Sequence, residues 1–193
     1  MTYNYEEVYN CLDEGKVADK FPDFKQYKKH FKEAEKKYPR LKISLDKKDV
    51  VGLIDDVGLL SVDKMSTPIE RLLYAFLWKQ GDLSKVKLIV EGISESKLLT
   101  DKRSGLVFYQ FGRHLSDNEE PIIDINVLRA YAVYSDTVGG LTQSGISTSQ
   151  KGVDLVQRYI TWFKRVTKRP DDRFIADRIM FAIGKHLNSK KSK

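Results

Sequence analysis

Cysteine is almost missing from this chain of 193 residues, and the single thiol, Cys11, rules out an intramolecular disulfide and any four-thiolate zinc or iron-sulfur site. Long apolar runs are missing too. No stretch approaches the roughly 20 residues needed to cross a bilayer as a helix. The opening MTYNYEEVYN is acidic and aromatic, unlike a signal or transit peptide, so no membrane partner and a cytoplasmic location are expected. His30, His114 and His186 are scattered, and none has a second histidine or cysteine at metal-ligand spacing, so no metal is expected. The phosphate loop, the dinucleotide fingerprint, the nucleophile elbow and the zinc-deaminase signature are all lacking. Nucleotide hydrolysis, hydride transfer and deamination are therefore poorly supported, and no small-molecule cofactor is expected.

Strand signals are equally scarce. No apolar-polar alternation is bounded by Asn-Gly or Asp-Gly turns, and the chain reads as all-α. With 41% hydrophobic residues it can bury a core without cross-links. The spacing predicts helices over about 5–14, 23–38 and 48–57. A further helix opens at Thr67-Pro68-Ile69-Glu70, where Thr67 caps, Pro68 occupies the first turn and Glu70 reaches back to the cap amide. Ile69, Leu72, Leu73, Ala75, Phe76 and Leu77 run round most of that helix, so it is expected to be central and buried, ending at Gln80-Gly81. Helices over about 83–91, closed by Gly92, and 104–111, closed by Gly112, come next. A helix entered through Asp124 follows. Long helices are expected over about 148–167, broken by Pro170, and 172–187. The segment SDTVGGLTQSGISTSQ is too long for a simple helix connection and marks a lobe boundary. One globular unit is expected, with a central lobe of about 67–135, a second lobe of about 1–66 plus 136–188, and a basic tail at 189–193.

What the chain has in excess is positive charge: the net charge is +7 and the pI near 9.3, which favours polyanions through long-range attraction and counterion release. From Lys16 to Lys48 the bases outnumber acids 12 to 5, and the ending GKHLNSKKSK has no acid, so both are candidate phosphate-facing surfaces. The plainer reading is a solvated lysine face and a frayed end.

The most informative stretch is GLVFYQFGRHLSDNEEPIIDINVLRAYAVYS, an apolar helix, a polar turn and PIID running into a second apolar helix. Pro121 fixes the approach and Ile122 and Ile123 anchor it, leaving Asp124 at a helix entrance. Asp124 can serve as a cap, as a carboxylate offered to a substrate, or as both. The order resembles the core of the helix-hairpin-helix DNA glycosylases, and the resemblance covers about 67–135. It implies a two-lobed helical bundle that binds double-stranded DNA and cleaves the bond between a flipped damaged or mispaired base and its sugar. Under it, Asp124 stabilises the charge developing on the sugar, and Lys102, 22 positions earlier, stands nearest to the family's nucleophilic lysine. Gln80 takes the place of the wedging glutamine. Lys79, Lys102, Arg103, Ser104, Gly105 and Arg129 are the further DNA-binding candidates. Phe108, Tyr109, Trp78 and Trp162 are candidate pocket aromatics or, more simply, core.

The chain departs from that family where phosphate should be held. The Gly-x-Gly hairpin is replaced by SESKLLTDKRSG, flanked only by Gly92 and Gly105. Two further readings therefore stand beside base excision: a non-catalytic relative that binds nucleic acid by backbone contacts, and a helical protein-protein adaptor.

Overall fold

The computed structural model describes residues 24–37, 41, 43–54, 61, 64–95, 105–134, 150–167 and 170–190, and among these the regular elements are all helices, with no strand element. In chain order the helices are α1 (Phe24–Lys37), α2 (Lys47–Val50), α3 (Pro68–Gln80), α4 (Leu83–Ser94), α5 (Leu106–Ser116), α6 (Ile125–Tyr134), α7 (Gln150–Val166) and α8 (Pro170–Lys190). The all-α reading holds. The expected helix over 5–14, the glycine-rich segment 135–149 and the last three residues lie outside the described residues.

Local chemistry explains the best-defined ends. At α3, Thr67 Oγ1 accepts from the Glu70 amide at 3.3 Å and Glu70 Oε2 accepts from the Thr67 amide at 2.8 Å. Hydrogen bonds from Thr67, the backbone amide first, and from Ser66 hold the Glu70 carboxyl below its usual range. Gly81 closes the helix in the left-handed region, φ 71°, its amide donating to the Trp78 carbonyl at 3.0 Å. Pro170 opens α8 instead of merely ending α7, because its missing amide costs nothing in a first turn.

Two apolar clusters form. The larger gathers Leu106 and Tyr109 of α5, Ile123, Val127, Leu128 and Tyr131 around α6, Tyr159 and Phe163 of α7, and Ile179, Met180 and Ile183 of α8, with Phe31 of α1 against it. Burial of Tyr159 or Phe163 alone is worth about 3 kcal/mol. The smaller joins Val50, Ile93 and Leu115, with Leu45, Leu53 and Phe111 packed on them, and the Leu45 amide donates to the Leu115 carbonyl at 2.9 Å.

Two expectations fail for the same reason. Gly92 and Gly112 do not end their helices: α4 runs on to Ser94 and α5 to Ser116. They sit where α4 and α5 cross. A methyl group at Gly92 would overlap the Tyr109 carbonyl, and one at Gly112 would overlap the Ile89 carbonyl and come within 3.0 Å of Gly92 Cα. Gly184 allows the same approach between α8 and α6, where a methyl would overlap the Asn126 carbonyl. Glycine marks a helix end in sequence, but it equally permits backbones to touch. The helix expected over 48–57 is shorter, stopping at Val50, with Gly52 at φ 76° just after it.

The fourth failure is α3. It was expected at the centre, yet it has no buried residue, and Ile69, Leu72, Leu73, Phe76 and Trp78 are all more than half exposed. Both cores are built from other helices, and α3 touches α4 only lightly.

Gly112→Ala is expected to destabilise the fold by roughly 2–3 kcal/mol through overpacking, lowering the melting temperature by about 5–10 °C for a chain of this size. Gly81→Ala, with nothing within 4 Å, is expected to cost only about 1 kcal/mol of left-handed strain. Thermal unfolding followed by circular dichroism checks both. A Gly112→Ala protein as stable as the parent would contradict the close crossing.

Candidate functional site

The turn Asp117–Asp124 joins α5 to α6 and is held from both sides by one carboxylate. Glu120 is only 2% exposed, accepting from Arg113 Nη2 at 2.7 Å, Lys164 Nζ at 2.6 Å and Gln110 Nε2 at 3.0 Å. Burial pushes its pKa up, but the hydrogen bonds from Lys164 and Gln110 and the charge of Arg113 outweigh it, so the group is held below the usual carboxylate range. His114 Nδ1 lies 2.7 Å from the Glu120 carbonyl oxygen, and Gln110 Nε2 also donates to the Pro121 carbonyl at 3.3 Å. Outside the buried knot, Arg173 donates to Glu119 at 2.9 Å.

This clamp delivers Asp124 to the start of α6. Asp124 Oδ1 accepts from the Val127 amide at 2.8 Å, its carbonyl accepts from the Leu128 amide at 3.1 Å, and Oδ2 accepts from Asn126 Nδ2 at 3.0 Å. It is a helix cap with both carboxylate oxygens engaged. Arg129 joins the same chain, donating from Nη1 to Asn126 Oδ1 at 3.2 Å. Asp124 and Arg129 are therefore brought together. Lys79 and Gln80, exposed at the end of α3, have no hydrogen bond or ion pair to either among the described residues. Gly105 is the N-cap of α5 at φ 74°, pressed against Leu88, and no side chain fits there. Lys102, Arg103 and Ser104 lie outside the described residues.

Beside Asp124 the structure sets a second carboxyl that sequence reading missed. Asp177 of α8 accepts from the Ile122 amide at 3.4 Å and from the Tyr159 hydroxyl at 3.5 Å. Burial first, then the charge of Asp124, raise its pKa well above the ordinary 3.8, against the opposing hydrogen bonds. Tyr159 is likewise driven well above 10 by burial and by the Asp177 and Asp124 charges. A buried acid with a raised pKa is a feature found in acid-base catalysts, and the same physics follows from burying an acid against a core.

The candidate aromatics separate. Tyr109 is core, its hydroxyl donating to Glu95 at 3.2 Å and raised to about 12 by burial and the Glu95 charge. Phe108 is half-buried with the Lys85 ammonium 5.2 Å from its ring centre, and Trp78 is 65% exposed. Trp162 packs on Tyr131 and Tyr159, ring centres 5.6 and 5.7 Å away, and its edge enters an open groove.

That groove, about 560 Å³, is lined by Tyr131, Asp154, Gln157, Arg158, Thr161, Trp162 and Arg165. Six of these come from α7, at spacings that fall on one exposed helical face. Arg158 and Arg165 lie two turns apart, about 10 Å along the axis at 1.5 Å per residue. Among the described residues neither forms an ion pair, and Asp154 is the only acid in the lining. The signal was legible in DLVQRYITWFKRV, whose polar residues recur every three to four positions. The described residues hold no group of three or more histidine, cysteine or acidic side chains placed to bind a metal, and no helix among them is long and apolar enough to cross a membrane.

No protein family, curated protein or solved structure matches this chain.

Asp177 gives a pH test. A folded-state pKa above the unfolded one means stability that is full below about pH 3.8 and declines as pH rises toward the folded value, at up to about 1.4 kcal/mol per pH unit. Asp177→Asn removes that titration. Its melting temperature is expected to rise relative to the parent as pH is raised from 4 to 8; a difference that stays flat over this range would refute the raised pKa.

Proposed function

We propose that this protein binds double-stranded DNA in the cytoplasm through backbone contacts made by the exposed face of α7, without acting on a base. The observation that carries the reading is the pair Arg158 and Arg165, two exposed guanidinium groups that line one groove and form no ion pair among the described residues, in a chain of net charge +7. Guanidinium groups suit phosphate oxygens, and an unpaired surface pair gains from counterion release without first breaking an internal salt bridge. Gln157 and Thr161 add neutral hydrogen-bonding groups between them. Kinship with the helix-hairpin-helix glycosylases is supported by the order α5, polar turn, Asp124, α6. Loss of catalysis is supported by the missing Gly-x-Gly hairpin and by the engagement of both Asp124 oxygens, one by the Val127 amide and one by the Asn126 side chain.

Base excision is the second reading, favoured by one observation: Asp124 keeps partial exposure at the entrance of α6, next to the Asp177 carboxyl. In it, Asp124 stabilises an oxocarbenium-like sugar and Lys102 is the amine nucleophile.

One set of measurements separates the two. Affinity for a short duplex, followed by fluorescence anisotropy, is expected to fall with salt, and Arg158→Ala/Arg165→Ala is expected to flatten the slope of log K against log salt by about 2. The melting temperature should not change. An unchanged slope removes the α7 face from the interaction. Incubation with duplexes carrying uracil, 8-oxoguanine, alkylated adenine or a mismatch is expected to release no base. Release that Asp124→Asn abolishes while binding persists would establish the enzymatic reading instead, and borohydride trapping lost in Lys102→Ala would assign the amine.

A further inference from the structure

The apolar seam of α3 is used by none of the interactions described above. Ile69, Leu72, Leu73 and Phe76 fall at i, i+3, i+4 and i+7, so they form one stripe, and they are 59%, 65%, 54% and 60% exposed. The half-buried Tyr74 and Leu77 lie on another side of the helix, which is the side turned toward the protein. No charged residue falls within the stripe. A chain with net charge +7 and a well-filled core elsewhere has no need to place four large apolar side chains in water, and isolated exposed residues do not line up this way.

We propose that this seam is a two-fold dimer interface, in which α3 packs antiparallel against α3 of a second copy of the chain. Two features favour a second copy over an unrelated protein. The first is area: the four side chains offer roughly 500 Å² of apolar surface, about 60% of the roughly 800 Å² that each partner contributes to a standard interface, which is the apolar share such interfaces have. The second is self-complementarity. The stripe is symmetric about its midpoint between Leu72 and Leu73, so an antiparallel pair sets Ile69 beside the partner's Phe76 and Leu72 beside the partner's Leu73. Each apolar side chain meets another, as a closed isologous contact requires. Antiparallel packing also sets the positive end of each helix dipole beside the negative end of the other.

Sedimentation of the full chain without nucleic acid tests this. At micromolar concentration the mass is expected to be twice 22.3 kDa, and Phe76→Lys or Ile69→Glu alone to shift the chain to monomer with an unchanged helical circular dichroism spectrum. The double variant Ile69→Glu/Phe76→Lys is expected to recover the dimer, because in the antiparallel register each introduced carboxylate faces the partner's introduced ammonium. A parent chain that stays monomeric to high micromolar concentration overturns the proposal, since the seam is then covered by this chain's own residues or by another protein. A dimer that both single variants leave intact overturns it as well, as does a double variant that remains monomeric.

Discussion

Glu120 is the constraint on which the arrangement around the polar turn depends. A carboxylate taken out of water costs several kcal/mol unless its lone pairs are met, and here three donors from two helices converge on it. Arg113 and Gln110 come from α5 and Lys164 from α7, so the turn is fixed to both at once. Everything downstream inherits that fixing: Pro121 and Ile123 are buried, Ile122 donates to Asp177, and Asp124 arrives at α6 oriented to cap it. A buried ion pair contributes little net stability compared with apolar packing, but removing one partner leaves an uncompensated charge costing about 3–5 kcal/mol. Its value is specification of one geometry for the turn.

Close helix crossings supply the second constraint. Gly92 against Gly112, and Gly184 against Asn126, allow backbones to approach so closely that Cβ atoms cannot be accommodated. Interior glycines cost helix propensity of about 1 kcal/mol each. The dispersion gained by bringing two whole helix surfaces together offsets that cost. With α4 and α5 locked to each other and α8 to α6, the exposed face of α7 and the exposed seam of α3 are left as outward-facing surfaces of different character, one cationic and one apolar.

Legibility in the sequence varied with the range of the interaction. The Thr67 capping box, the Asp124 cap and the α1 span were readable because each depends on residues within one or two turns. The glycines at 92 and 112 were misread because a helix stop and a helix crossing use the same residue, and only the neighbouring helix decides between them. The burial of α3 was misread because a helix apolar on most sides is written the same way whether its surroundings come from its own chain or not. Asp177 passed unnoticed because nothing local distinguishes an acid on α8 that faces Tyr159 and Ile122 from one facing water.

By itself the sequence determined the helical class, the local caps and the excess of positive charge, since periodicity, capping chemistry and net charge need no knowledge of distant neighbours. Only the tertiary structure decided which apolar stripe is buried, which acid loses its solvent, and which arginines share a groove. Those properties belong to surfaces that meet across many residues of chain, and burial, pKa and cleft shape are set at such meetings.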